Sequence, residues 1–63
     1  MTGDRPPGVG DLVRDPARDC EAVVTDVCNE VPLLRSRHGG GEPWPASPLS
    51  LEILARRGKW VHP

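Results

Sequence analysis

Pro6, Pro7, Pro16, Pro32, Pro43, Pro45 and Pro48 cut this chain into runs too short for a long helix. A proline inside a helix removes a backbone hydrogen bond and clashes with the preceding turn, so each one limits how far helical structure can extend. Glycine adds to the effect, the two residue types together making up 15 of the 63 positions. What remains are short segments separated by turns, a pattern that favours strands.

Size narrows the class further. A chain of 63 residues forms one domain, and such a domain buries only about 60% of the surface its unfolded form exposes. Phe and Tyr are absent, which leaves Trp44 and Trp60 as the only aromatic rings. A walled catalytic cleft is hard to build from so little material, because small-molecule pockets usually run to roughly 300 Å³ or more. No nucleophile and base stand in a catalytic arrangement either. Ser36 neighbours Arg37 and His38 in sequence but lies at a strand-to-loop transition, and we expect no enzyme.

The segments themselves read as follows. Residues 1–8 are a flexible lead-in, since Pro6-Pro7-Gly8 suits neither a helix nor a central strand. A first strand is expected over Val9–Asp15, followed by a turn over Pro16–Asp19. The run Glu21–Val27 carries three valines and a threonine and is the clearest strand. Asn29, suited to a left-handed conformation, tightens the connection to a third strand over Val31–Arg37. Pro32 within it implies an edge position or a missing N–H that faces outward.

Three glycines, Gly39 to Gly41, then precede a short fourth strand over Glu42–Ala46. Glycine-rich loops can cradle phosphate, but that chemistry needs a helix N-terminus next, and Pro43 and Pro45 prevent one. A strand-reversing loop is the expected role. Ser47 and Pro48 suit the start of a helical turn over Pro48–Leu51, with a last strand over Glu52–Arg56. Residues 57–63 are expected to form a flexible tail with Trp60 exposed or disordered.

Cys20 and Cys28 flank the valine-rich strand. Eight steps at about 3.3 Å hold their sulfurs more than about 20 Å apart, beyond the reach of a disulfide. The spacing also misses the short ligand pairs of zinc sites, and neither His38 nor His62 completes one, so no metal and no cofactor is expected. No basic segment followed by an apolar run opens the chain, and nothing approaches the roughly 18 apolar residues of a membrane helix. A cytoplasmic protein without a membrane partner is expected.

A net charge of −1 hides an uneven distribution. Residues 1–34 carry three arginines against seven acidic residues, a net −4, while residues 35–63 carry five basic residues against two acidic, a net +3. The second half therefore supplies a candidate binding surface of Arg35, Arg37, His38, Arg56 and Arg57, with Lys59 beside them. Trp44 is the ambiguous member. It can close one end of a small core, its indole N–H finding a partner at the rim, or it can lie exposed beside Arg35 and Arg37 as a stacking platform.

Taken in order, Gly10-Asp11-Leu12-Val13-Arg14-Asp15, Val23-Val24-Thr25-Asp26-Val27, Leu34-Arg35 and Gly39-Gly40-Gly41-Glu42-Pro43-Trp44, then Pro48 and Leu51-Glu52, resemble a group of small actinobacterial proteins of mostly unassigned function. More distantly, the pattern is similar to KOW and Tudor-like barrels. That resemblance covers roughly residues 9–54 and implies an all-β fold: a five-stranded SH3-like antiparallel barrel spanning residues 9–56, with a short helical turn before the last strand. Val13, Val24, Leu34, Leu51 and Leu54 are then the expected core, with Trp44 closing one end. KOW segments carry a glycine before the second strand's valines where this chain has Cys20-Glu21-Ala22, a departure that weakens the carry-over of the ribosome- or polymerase-binding role such segments imply.

A small protein-interaction or regulatory module, docking through a barrel face or strand edge, is the leading functional expectation. The alternative is a nucleic-acid-binding module that uses Arg35, Arg37, Arg56, Arg57 and Lys59 with tryptophan stacking. A sequence pI of about 6.0 argues against the alternative, since such domains commonly lie above 9.

Overall fold

A computed structural model describes residues 6–39 and 41–60. The chain is all-β, with β1 over Leu12–Asp15, β2 over Cys20–Cys28, β3 over Val31–Ser36, β4 over Trp44–Pro45 and β5 over Glu52–Ala55. All pairings are antiparallel, in a single sheet of order β4-β3-β2-β1-β5. The expected strand positions match to within three residues at each end. The main difference is at the first strand, where Val9 and Gly10 form a turn in which the Asp11 N–H donates to Gly8 O at 3.0 Å.

Local chemistry explains the connections. Between β1 and β2, Asp15 accepts from the Ala17 N–H through Oδ1 at 3.0 Å, and Asp19 takes φ 53° to re-enter the ladder. Between β2 and β3, Asn29 and Glu30 both have positive φ, 51° and 66°, the geometry of a two-residue turn whose twist matches its strands. Pro32 sits inside the sheet rather than on its edge. Its carbonyl accepts from the Ala46 N–H at 3.1 Å, so its absent N–H faces the far end of β4 and costs no bond to β2.

Val13, Ala22, Val24 and Leu34 form the buried core on one face of the sheet, cross-strand neighbours through Val13↔Ala22 and Val24↔Leu34. Burying an aliphatic side chain of this size contributes about 2 kcal/mol. Trp44, Ala46 and Leu51 pack against this cluster.

Two expectations about the barrel are corrected here. The sheet is open, because β4 and β5 are its two end strands and are not bonded to each other. β4 has only two residues, with prolines at 43 and 45, and offers little ladder for closure. Trp44, Ala46 and Leu51 cover part of the core face instead. There is no helix among the described residues: residues 48–50 form one turn, in which the Ser50 N–H donates to Ser47 O at 3.1 Å.

Leu54 is the second correction. It was expected in the core and is 44% exposed. Leu12 pairs with Ala55 and Val13 with Ile53, so Leu54 is the extra residue of a β-bulge and turns away from the regular alternation.

Candidate functional site

The sheet alternation separates the candidate residues into different places. Trp44 pairs with Leu34 and shares its face, so Arg35, the next residue, points to the opposite face. The proposed grouping of Trp44 with Arg35 and Arg37 does not form. Trp44 is half-buried, its Nε1–H donates to Asp15 Oδ2 at 2.9 Å, and the Arg18 guanidinium lies 4.3 Å from its ring centroid. Beside this stack is a shallow recess of about 330 Å³ lined by Asp15, Arg18, Trp44, Ser47 and Ser50 among others.

On the other face, Arg37 Nη1 donates to Glu21 Oε1 at 2.7 Å while its guanidinium stands 5.9 Å from the Trp60 ring centroid. Trp60 is half-buried rather than exposed or disordered as expected. A cation over an aromatic face is attracted by the ring quadrupole, which gives this C-terminal residue a reason to stay against the sheet. Arg35 and His38 are exposed.

Arg56 and Arg57 meet at a third place, around Asp11. This carboxylate is buried and accepts from the Gly8 N–H at 2.9 Å, the Arg57 N–H at 2.9 Å and Arg56 Nη1 at 2.9 Å. Burial alone raises a carboxyl pKa. Here the two backbone donors, then the hydrogen bond and charge of Arg56, outweigh that effect and hold Asp11 below the usual carboxylate range. One side chain thus ties together the segment before β1 and the segment after β5. The Arg57 side chain is exposed, as is Lys59.

Of the six basic positions named from sequence, Arg37 and Arg56 are neutralised by Glu21 and Asp11. Arg35, Arg57 and Lys59 have no carboxylate within ion-pair distance among the described residues. Arg18, Asp11 and Asp15 were not singled out. The pair Asp15-Pro16 marked a turn, but nothing local showed that the second oxygen of Asp15 receives Trp44.

An exposed apolar surface completes the picture. Leu49 is 95% exposed, and Ile53 and Leu54 lie close to it in the chain on the edge strand β5. A groove of about 550 Å³ is lined by Pro6, Pro7, Pro48, Leu49, Leu51, Ile53 and Arg56. Cys20 is half-buried and Cys28 exposed, at opposite ends of β2, both free thiols. His62 lies outside the described residues, as do residues 1–5 of the expected lead-in and 61–63 of the expected tail. No helix among the described residues is long and apolar enough to cross a membrane. No protein-family model, curated protein sequence or solved structure matches the chain.

Proposed function

We propose that this chain is a non-catalytic protein-interaction module with an SH3-like fold of the KOW/Tudor-like kind, acting in the cytoplasm. Five short antiparallel strands, with a single turn before the last, agree with that fold.

The observation that carries the functional reading is the apolar surface around β5. A chain this poor in large apolar residues leaves Leu49, Ile53 and Leu54 exposed on and beside β5, whose outer side has no strand neighbour among the described residues. Clustered apolar surface of this kind marks interaction sites. The nucleic-acid alternative keeps Arg35, Arg57 and Lys59 as phosphate contacts, but loses Arg37 and Arg56 to internal ion pairs and one face of Trp44 to Arg18.

A photo-reactive residue placed at Leu49, with a control at Arg35, tests this reading in native lysate. Polypeptide adducts specific to Leu49 support it. Adducts equal at the two positions, together with tight nucleic-acid binding that falls steeply with salt, overturn it in favour of the alternative.

A further inference from the structure

We propose that the recess beside Trp44 is a carboxylate-binding site, which holds an acidic side chain of a partner peptide on Arg18. The inference rests on the protein-interaction reading and names the chemistry of that partner.

Arg18 owes its place to a chain of contacts that begins inside the fold. Asp15, 3% exposed, accepts from Trp44 Nε1–H at 2.9 Å, and the indole fixed in this way carries the Arg18 guanidinium 4.3 Å from its ring centroid. A guanidinium that rests on a ring by its face keeps its N–H donors, which lie in its own plane, for a second partner. Among the described residues that second partner is missing, since Arg18 has neither an ion pair nor a side-chain hydrogen bond there. An arginine already ordered against an aromatic face also loses less rotamer freedom when a ligand arrives.

The polar groups of the recess favour an anion. Ser47 Oγ accepts from the Leu49 N–H at 3.3 Å, which leaves its hydroxyl proton to donate, whereas the Ser50 hydroxyl already donates to Ser47 O at 3.1 Å. Asp15 lines the recess too, but its oxygens are taken by Trp44 and Ala17 and it is removed from water. Arg18 and Ser47 are exposed and supply the available donors. A carboxylate matches the planar fork of a guanidinium in bidentate fashion.

The surroundings then select a peptide over a polyanion. Residues 1–34 carry a net −4, and Asp19, next to Arg18 in the chain, is exposed and paired with Arg14. Such a field opposes a phosphate backbone and tolerates a single carboxylate. The turn that supplies Ser47 and Ser50 to the recess also supplies Pro48 and Leu49 to the apolar groove, and Leu49 is 95% exposed. A peptide crossing this turn can seat an acidic residue on Arg18 and an apolar residue against Leu49.

Display of random-sequence peptides against the full chain tests the proposal. Enriched peptides should carry an aspartate or glutamate close to an apolar residue. Arg18→Gln should lose the acidic preference and keep the apolar one, and Arg18→Glu should enrich basic peptides instead, with circular dichroism showing both variants folded. Replacing the acid of one enriched peptide by its amide should weaken binding to the unaltered chain about tenfold. Arg18→Gln should weaken binding of the original peptide by a similar factor, and the two losses should not add, because each removes the same contact. Enrichment of apolar peptides without an acid, or an acidic preference indifferent to Arg18, overturns the carboxylate site and leaves the protein-interaction reading standing. No enrichment of any peptide overturns the site as well. Joined to nucleic-acid binding that falls steeply with salt, that last result sinks both readings.

Discussion

Trp44 Nε1 donates to Asp15 Oδ2 at 2.9 Å across 29 residues of sequence, and the same carboxylate accepts from the Ala17 N–H through Oδ1. Asp15 is 3% exposed, so both oxygens are acceptors removed from water. One side chain therefore fixes the β1–β2 turn and the position of β4.

Asp15→Asn tests this arrangement with almost no change of shape. The new amide must present its NH₂ group to either Ala17 N–H or Trp44 Nε1–H, and two donors then face each other. A loss of about 2 kcal/mol is expected in denaturant unfolding, with a smaller loss on a Trp44→Phe background, where one donor is gone. Additive effects would show that the two residues do not act together. Trp44→Ala should cost roughly 3 kcal/mol or more, enough to unfold so small a domain.

Asp11 predicts the response to acid. Its folded carboxyl titrates below the ordinary value because Gly8, Arg57 and Arg56 favour the charged form more than burial opposes it. A group with a depressed folded pKa contributes stability in full above its unfolded pKa and loses it as pH falls through the folded value. Melting temperature should therefore fall as pH drops below about 5, and Asp11→Asn should flatten that part of the curve while lowering stability at neutral pH. An unchanged acid limb in the variant would assign the effect to other carboxylates.

Much of the strand framework was legible because it is written locally. The valines of β2 and the turn residues at Pro16 and Asn29 act within a few positions of themselves. Asp11 and Asp15 were not legible as hubs, since their partners lie 46 and 29 residues away. Leu54 was misread because strict alternation cannot foresee a bulge. Trp60 was misread because its place depends on Arg37, on a distant strand end. Barrel closure failed as an expectation for a related reason: the prolines that identified β4 as short also deprive it of a ladder.

Gly10 and Gly39 separate backbone strain from crowding. Both have positive φ, 94° and 87°, but a Cβ at Gly10 would come within 2.9 Å of Arg57 Cγ and Cδ, whereas at Gly39 it would meet nothing within 4 Å among the described residues. Gly39→Ala should cost about 1 kcal/mol from strain alone, and Gly10→Ala about 2 kcal/mol or more. Arg57→Ala on the Gly10→Ala background should recover part of the difference. Equal costs at the two glycines would mean that Arg57 moves aside freely.

Arg35 and Arg37, two residues apart, should behave differently despite their equal charge. Arg35 is exposed with no ion pair among the described residues, so Arg35→Ala should change stability by less than about 0.5 kcal/mol. Arg37 bonds Glu21 at 2.7 Å and stands over Trp60, so Arg37→Ala should cost up to about 1 kcal/mol. The clearer readout is optical. On a Trp44→Phe background Trp60 is the sole fluorophore, and losing the cation above it should shift its emission toward that of a solvated indole while Arg35→Ala leaves the spectrum alone. Any acidic partner should in turn lose more affinity with Arg35→Ala, because the charge of Arg37 is already held by Glu21. Identical spectra for the two variants would show that Trp60 does not rest against Arg37 in solution.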